Sequence, residues 1–330
     1  MLAQTGDGPP VKRQTSVTEE NPKTIISFNR SPDIPFDRSI NAYRGCEHGC
    51  IYCYARPTHA YHDLSPGLDF ETRLFAKPKA ADLLRTTFAR KGYRPRPIAL
   101  GTNTDPYQPI EKRFSITRQI LEVCLEARHP VTITTKSDRL LRDIDLLAEM
   151  AQHRLVAVSV SVTSLDRALS AKLEPRCAAP ERRLAALAAL VERGVPAHCS
   201  VSPIIPAITD EFIEAILERA GQIGVNSAGW IALRLPHEVA PLFREWLEVH
   251  YPERAGKVMS IVQSIRGGRD NDPDFFTRMK PRGVWADLIR SRFDIARRKA
   301  GIARAEDTPI SGLDCSAFIP PETGGQLRLF

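Results

Sequence analysis

Short β-branched runs alternate with segments of helical spacing along most of this 330-residue chain, and few architectures accommodate that order. The runs are Pro97 to Gly101, Val131 to Thr135, Leu155 to Val162, Ala197 to Ile205 and Trp230 to Leu235. Between them, Ile116, Ile120, Val123 and Cys124 share one helical face, and Leu140, Leu141, Ile144, Leu147 and Ala148 a second. Leu184, Leu187, Ala188 and Val191 make a third, and Phe212, Ile213, Ile216 and Leu217 a fourth. Glycine-containing stops follow at Gly194 and at Gly221 to Gly224. Strand then helix, repeated five or six times, implies parallel strands joined by crossover helices. Periodicity does not separate an open doubly wound sheet from a barrel. In either one, functional residues gather at the carboxyl ends of the strands.

Hydrophobic residues make up 42% of the chain and are spread along it, so one large core can form. Residues 1 to about 30 are polar, carry Gly8-Pro9-Pro10 and read as a flexible lead-in, with ordered structure expected from about Asp37. A catalytic domain is expected over residues 31–250. Beyond it the alternation stops, and residues 251–330 read as a basic helical extension and tail. There Trp285, Leu288, Ile289, Phe293 and Ala296 share one side of a segment whose arginines lie largely elsewhere. From Arg254 to Arg304 the chain holds 13 Lys/Arg against 5 Asp/Glu, which accounts for the whole formal charge of +7. Phe275, Phe276 and Trp285 among those cations would suit phosphate attraction with base stacking, but a solvated helix face explains the same charge. Nucleic acid is thus a partner the sequence allows without requiring. No run of about 18 apolar residues occurs and the N-terminus lacks a signal-peptide core, so a soluble, cytoplasmic protein without a membrane partner is expected.

Seven cysteines are present, and three crowd into NAYRGCEHGCIYCYARP as Cys46-x3-Cys50-x2-Cys53. An odd count with one tight cluster is poor material for a disulfide framework and good material for a metal site in a reducing compartment. Thiolates suit iron-sulfur clusters, zinc or Cu(I). Gly45 and Gly49 allow the backbone to wrap closely around an inorganic core. No fourth cysteine is near in sequence, and three ligands leave one iron of a 4Fe-4S cluster open, as catalytic metal sites require. A structural zinc site that recruits His48, His59 or His62 is the other reading, although zinc ligands usually come as two separated pairs.

The spacing, with Tyr52 just before the last cysteine, resembles the signature of the radical S-adenosylmethionine (SAM) superfamily. The longer stretch from Ser31 to Pro78 resembles a bacterial branch similar to spore photoproduct lyase. The resemblance implies a partial TIM-like (βα)6 barrel of parallel strands with a C-terminal helical extension. It also implies a 4Fe-4S cluster on the three cysteines, SAM chelating the fourth iron, and a reducing donor such as flavodoxin or ferredoxin. The expected activity is reductive cleavage of SAM to a 5'-deoxyadenosyl radical that abstracts hydrogen from a substrate. Lesion repair or modification of nucleic acid, and a non-enzymatic metal-binding module, are the competing functions.

Further site residues follow from the carboxyl-end rule and the resemblance together. The turn GTNTDP after the run at 97–101 offers Asn103 and Asp105 to the methionyl amine of SAM, or is simply a capping turn. Ser159 and Ser161 share one face of their strand and could meet ribose or methionine groups, or equally be small polar filler. Glu174 and Arg176 follow that strand, with Arg176 able to fork a carboxylate or to pair with Glu174 on the surface. Cys177 could donate a hydrogen atom to a substrate radical, as a cysteine does in spore photoproduct lyase, although it lies elsewhere in the chain than that enzyme's donor.

Overall fold

The computed structural model describes residues 14–304 and 312–322. Its strands are β1 (Ser16–Glu19), β2 (Ile26–Phe28), β3 (Arg38–Ile40), β4 (Tyr43–Arg44), β5 (Arg73–Ala76), β6 (Ile98–Leu100), β7 (Val131–Thr135), β8 (Val156–Ser161), β9 (Ala197–Ile204), β10 (Ser227–Ala232) and β11 (Ala303–Arg304). Eight of them form one sheet in the order β2-β3-β6-β7-β8-β9-β10-β11, parallel throughout except for the β2–β3 pair. From β3 onward the spatial order follows the chain without reversal. A doubly wound sheet reverses at a switch point, so the choice that periodicity left open falls to single, barrel-like winding. The outermost strands β2 and β11 do not pair with each other, so the sheet is a partial barrel and does not close.

Right-handed crossovers in an unreversed order place the helices on one face. Helices α1 (Asp69–Thr72) and α3 (Glu111–Phe114) are single turns; α2 (Ala80–Phe88), α4 (Ile116–Glu126), α5 (Ile144–Gln152), α6 (Arg167–Leu173), α7 (Pro180–Glu192) and α8 (Ile213–Ile223) follow the strands. Alternation along β8 shows the result. Val156, Val158, Val160 and Val162 are buried in the main core with Leu184, Leu187 and Leu190 of α7, a burial of about 1.5–3 kcal/mol per side chain as an upper bound. The opposite face is left open. Thr134 is exposed and Ser159, His198 and Ser200 are half-buried, although their strands are paired on both sides. Residues on central strands reach solvent only if the concave face is a cleft.

Helices α9 (Val239–His250), α10 (Pro252–Ser264) and α11 (Val284–Lys299) complete the α-helices of the described residues. With α6, helices α9 and α10 build a second core in which Leu169, Leu173, Leu233, Val239 and Phe243 pack with Cys50, Ile51 and Tyr52. In α11, Ala286, Ile289 and Phe293 are buried and Trp285 and Ala296 half-buried, whereas Leu288, expected on the same side, is exposed and Arg297, expected outside, is buried. The chain then adds β11 to the sheet, a strand too short to register in hydrophobic spacing. Within the stretch read as a lead-in, residues 16–28 contribute β1 and β2; β1 pairs in parallel with β5 beside the cysteine loop, so distant pairing orders a segment without periodicity of its own. Residues 1–13 lie outside the described residues. Among the described residues no helix is long and apolar enough to cross a membrane.

The turn after β6 depends on Gly101. Its φ is +88°, and a Cβ there would lie 2.1 Å from the backbone oxygen of Thr134. Gly101→Ala should therefore cost at least about 1–3 kcal/mol in urea unfolding, and an unchanged midpoint would refute this account of the turn.

Candidate metal centre

The three cysteines lie on the loop that leaves β4, at the carboxyl end of the barrel strands. Gly45 and Gly49 both take left-handed conformations. At Gly49 a Cβ would meet Arg176 Nη2 at 2.5 Å and Glu71 Oε2 at 2.7 Å, so the loop closes directly onto an ionic brace. Arg56, fully buried, donates to the carbonyls of Cys50 (2.9 Å), Gly49 (3.1 Å) and Gly67 (2.8 Å) and pairs with Glu71 at 2.6 Å. The other oxygen of Glu71 pairs with Arg176 at 2.6 Å, and Arg176 also donates to the carbonyl of Glu47. Arg176 therefore pairs with Glu71, not with Glu174, and ties the region after α6 to the cysteine loop.

Glu174 lies below the loop. It forms a fully buried ion pair with Arg183 and accepts from the Tyr52 hydroxyl and from Thr163 Oγ1 (2.8 Å). Burial alone would push its carboxyl up, but the charges of Arg183 and Lys136 bring it down to about 2. Tyr52 is thereby pinned, and Lys136 Nζ sits 5.8 Å from the centre of its ring. Opposed by burial, the charges of Cys50, Glu174 and Cys177 hold the Lys136 ammonium above its usual value. No ion pair to Lys136 occurs among the described residues. The reading from sequence omitted Lys136, although it stands one residue past β7, where the carboxyl-end rule looks.

Asp105 is engaged inside the chain. Its oxygens accept from Thr135 Oγ1 (2.7 Å), the Lys136 N–H (2.8 Å) and the Tyr107 N–H (2.9 Å), and His48 Nδ1 lies 3.3 Å away. Four partners match the acceptor capacity of a carboxylate. Burial opposes ionisation, yet His48 and these donors hold Asp105 at about 2. In turn, and against burial, Asp105 and Cys46 keep the His48 imidazole well above its usual value. His48 thus bridges a carboxylate and a cysteine. His59 Nε2 instead meets the Arg73 carbonyl at 2.9 Å, and His62 stacks on Phe75. Asn103 is the exposed side chain of the turn.

On the cleft floor, Thr134, Ser159, His198 and Ser227 stand in one register row across β7 to β10. His198 Nδ1 lies 2.8 Å from Ser227 Oγ, and burial lowers the imidazole to about 4, so the ring is neutral near pH 7. Ser161 shares this face of β8 but is only 3% exposed. Tyr54 spans the rim, its hydroxyl donating to the Thr102 carbonyl.

The donor set suits an iron-sulfur cluster. Burial and the charges of Cys50 and Cys46 push the Cys53 thiol up to about 12, so a bound cation would favour its ionisation. Cys50 is lowered to about 7, first by the Cys177 thiol and then, against burial, by Lys136. Cys177, distant in sequence, comes to 3.6 Å from Cys50, sulfur to sulfur. Among the described residues no three His, Cys, Asp or Glu side chains are gathered into a preformed metal shell.

Residues 40–220 match the family model described as the radical SAM superfamily. An uncharacterised protein of Mycobacterium tuberculosis is 37% identical over 242 residues, 72% of this chain and 71% of its own length. One from Methanocaldococcus jannaschii is 32% identical over 215 residues, covering 65% and 76%. Among solved structures, a Cys-to-Ser mutant of spore photoproduct lyase superposes with a TM-score of 0.59 at 14% identity, covering 86% of this chain and 78% of that one. A double mutant of the same enzyme with bound AdoMet and dinucleoside spore photoproduct gives 0.52 at 15% identity, covering 72% and 66%. These two likenesses concern the fold alone.

Proposed function

Because the chain belongs to the radical SAM superfamily, we propose that Cys46, Cys50 and Cys53 hold a 4Fe-4S cluster and that SAM binds beside it at the mouth of the cleft. The observation that carries this reading is the placement of all three thiols on one braced loop at the carboxyl end of an open, singly wound sheet. When bound, the cluster would supply the electron for reductive cleavage of SAM, the chemistry that would allow hydrogen abstraction from a substrate.

The chain's own groups position the reactants. Lys136, held cationic and without an ion pair among the described residues, would take the carboxylate of SAM. Asn103, exposed on the turn after β6, would meet its methionyl amine. Ser159, on the cleft floor, would bond the ribose. Ser161 lines the same face one step higher. Glu174, Arg176 and Asp105 work through others: they fix Tyr52, the loop carbonyls and His48. The floor presents hydroxyls and a neutral imidazole, so the substrate would meet hydrogen-bonding groups there and not charges. A soluble one-electron carrier such as flavodoxin or ferredoxin would deliver the electron.

Anaerobic reconstitution with iron and sulfide, followed by dithionite and SAM, should yield 5'-deoxyadenosine. An intact cluster that produces none would overturn the reading. One iron-free zinc per chain would favour a structural module instead.

A second reading, nucleic acid as substrate, is favoured by one patch. Phe275 and Phe276 are 52% and 57% exposed, and the Arg278 guanidinium lies 4.8 Å from the Phe275 ring centre. The wider basic segment contributes less than its charge suggests: Arg278 is paired with Asp33, Arg292 with Glu214, and Arg297 donates to the Ile302 carbonyl. Phe275→Ala should weaken binding of a single-stranded oligonucleotide by about 1–3 kcal/mol, as read by fluorescence anisotropy. Equal affinity would remove this version.

A further inference from the structure

The proposed cluster leaves one thiol of the site unused. Cys177 Sγ lies 3.6 Å from Cys50 Sγ, and the fold holds the two side by side from segments 127 residues apart. The backbone around Cys177 is fastened at several points. The Arg176 N–H donates to His48 O, the Cys177 N–H to Glu174 O and the Ala178 N–H to Lys136 O, while the Arg176 guanidinium grips Glu71. Cys50 is 8% exposed and Cys177 is half-buried, so a reagent entering from the cleft meets Cys177 first. Every cysteine is a free thiol. Cys124 and Cys199, by contrast, are fully buried in the main core.

We propose that Cys50 and Cys177 form a reversible disulfide whenever Cys50 is not bound to iron, making the pair a redox modification site that keeps the cluster loop recoverable after oxidation. The inference rests on the cluster reading in taking Cys50 as an iron ligand. Its chemistry needs only the two thiols and an oxidant of the disulfide class.

A disulfide requires sulfurs about 2.05 Å apart, so the pair must close by about 1.5 Å, a distance side-chain rotation covers. With glutathione disulfide the exchange balances in two steps. The Cys177 thiolate attacks one sulfur of the oxidant, forming a mixed disulfide and releasing one glutathione thiolate. The Cys50 thiolate then attacks the Cys177 sulfur and releases the second. Two protein thiols are oxidised, one glutathione disulfide is reduced, and the two protons lost by the protein end on the two glutathione thiols. The consequence follows from the oxidation ladder of cysteine. A lone thiolate proceeds through sulfenic to sulfinic acid irreversibly, whereas a disulfide returns to two thiols on reduction. While the bond stands, Cys46 and Cys53 alone cannot hold the cluster, so assembly waits for reductant.

The test uses the full chain. Protein stripped of iron by chelation, reduced and desalted anaerobically, is exposed to glutathione disulfide and mapped without reduction by peptide mass spectrometry. The expected product is a Cys50 peptide joined to a Cys177 peptide, two hydrogens lighter than the pair and separated by dithiothreitol. Cys50 recovered as a glutathione adduct, or joined to Cys46 or Cys53, with Cys177 still a free thiol, would overturn the proposal. Under hydrogen peroxide, Cys177→Ser should accumulate several-fold more sulfinic acid at Cys50 than the wild type, and equal amounts would count against it. If the linked peptide forms but reconstituted protein cleaves no SAM, the cluster reading fails and this one stands; if SAM is cleaved and no linked peptide forms, only this inference fails.

Discussion

Replacing Cys46, Cys50 and Cys53 together with alanine is expected to abolish iron binding and to bring 5'-deoxyadenosine formation down to the protein-free background. The loss should be complete because, on the proposed assignment, each thiolate would hold one iron, and no other described cysteine except Cys177 approaches the loop. The fold should survive. Arg56, Glu71 and Arg176 hold the loop through backbone carbonyls and ion pairs that do not involve the sulfurs, and the main core contains none of the three residues. Far-UV circular dichroism should therefore match the wild type while iron content falls to zero. A triple variant that keeps its full cluster would end the assignment.

Breaking the Glu174–Arg183 pair is expected to have the largest effect on stability. Both side chains are essentially inaccessible. Glu174→Ala would strand a buried guanidinium and remove the acceptor of Tyr52 and Thr163. The cost of removing one partner from a buried pair is about 3–5 kcal/mol, measured as a shift in the urea midpoint at constant slope. Iron retention should fall with it, because Tyr52 lies between Cys50 and Cys53. A stable variant that holds iron normally would show that the pair is not the support described here.

The same pair sets an acid limit. Glu174 titrates at about 2 in the folded chain against an ordinary value of 4.5. A depressed carboxylate contributes stability that is fully present above the unfolded value and lost as pH falls through the folded one. Its contribution, about 3 kcal/mol by linkage, should therefore be lost between about pH 4.5 and pH 2. Glu174→Gln should flatten this part of the stability profile, leaving the component from Asp105, which is also held at about 2. An unchanged acid limb would refute the linkage.

Much of the candidate site was legible because its signals are short. Cys46, Cys50, Cys53 and Tyr52 fall within eight residues, and the glycines that permit the loop flank them. The turn at Asn103 and Asp105 and the shared face of Ser159 and Ser161 follow from strand ends and the two-residue period of a strand. What each does once folded was not legible. Arg176 and Glu71 are 105 residues apart and meet on the loop. Asp105 has its oxygens filled by partners from the cysteine loop and the end of β7 as well as from its own turn. Lys136 was one residue beyond a strand that had been recognised, but a lone lysine carries no local signal. The fate of the basic extension was equally hidden, since Arg254, Arg266, Arg278 and Arg292 find acceptors on segments far away in sequence.

Spacing within the chain was enough to establish strand and helix, the cluster of thiols and the helical ending, because hydrophobic period and short loops are local properties. Winding in a single direction, the cleft left open by a sheet that does not close, and the contacts of Cys177 with Cys50 and of Arg176 with Glu71 were decided only by tertiary structure. These depend on which strand ends become neighbours, and that is set by the free energy of burying one face of the whole sheet under its helices.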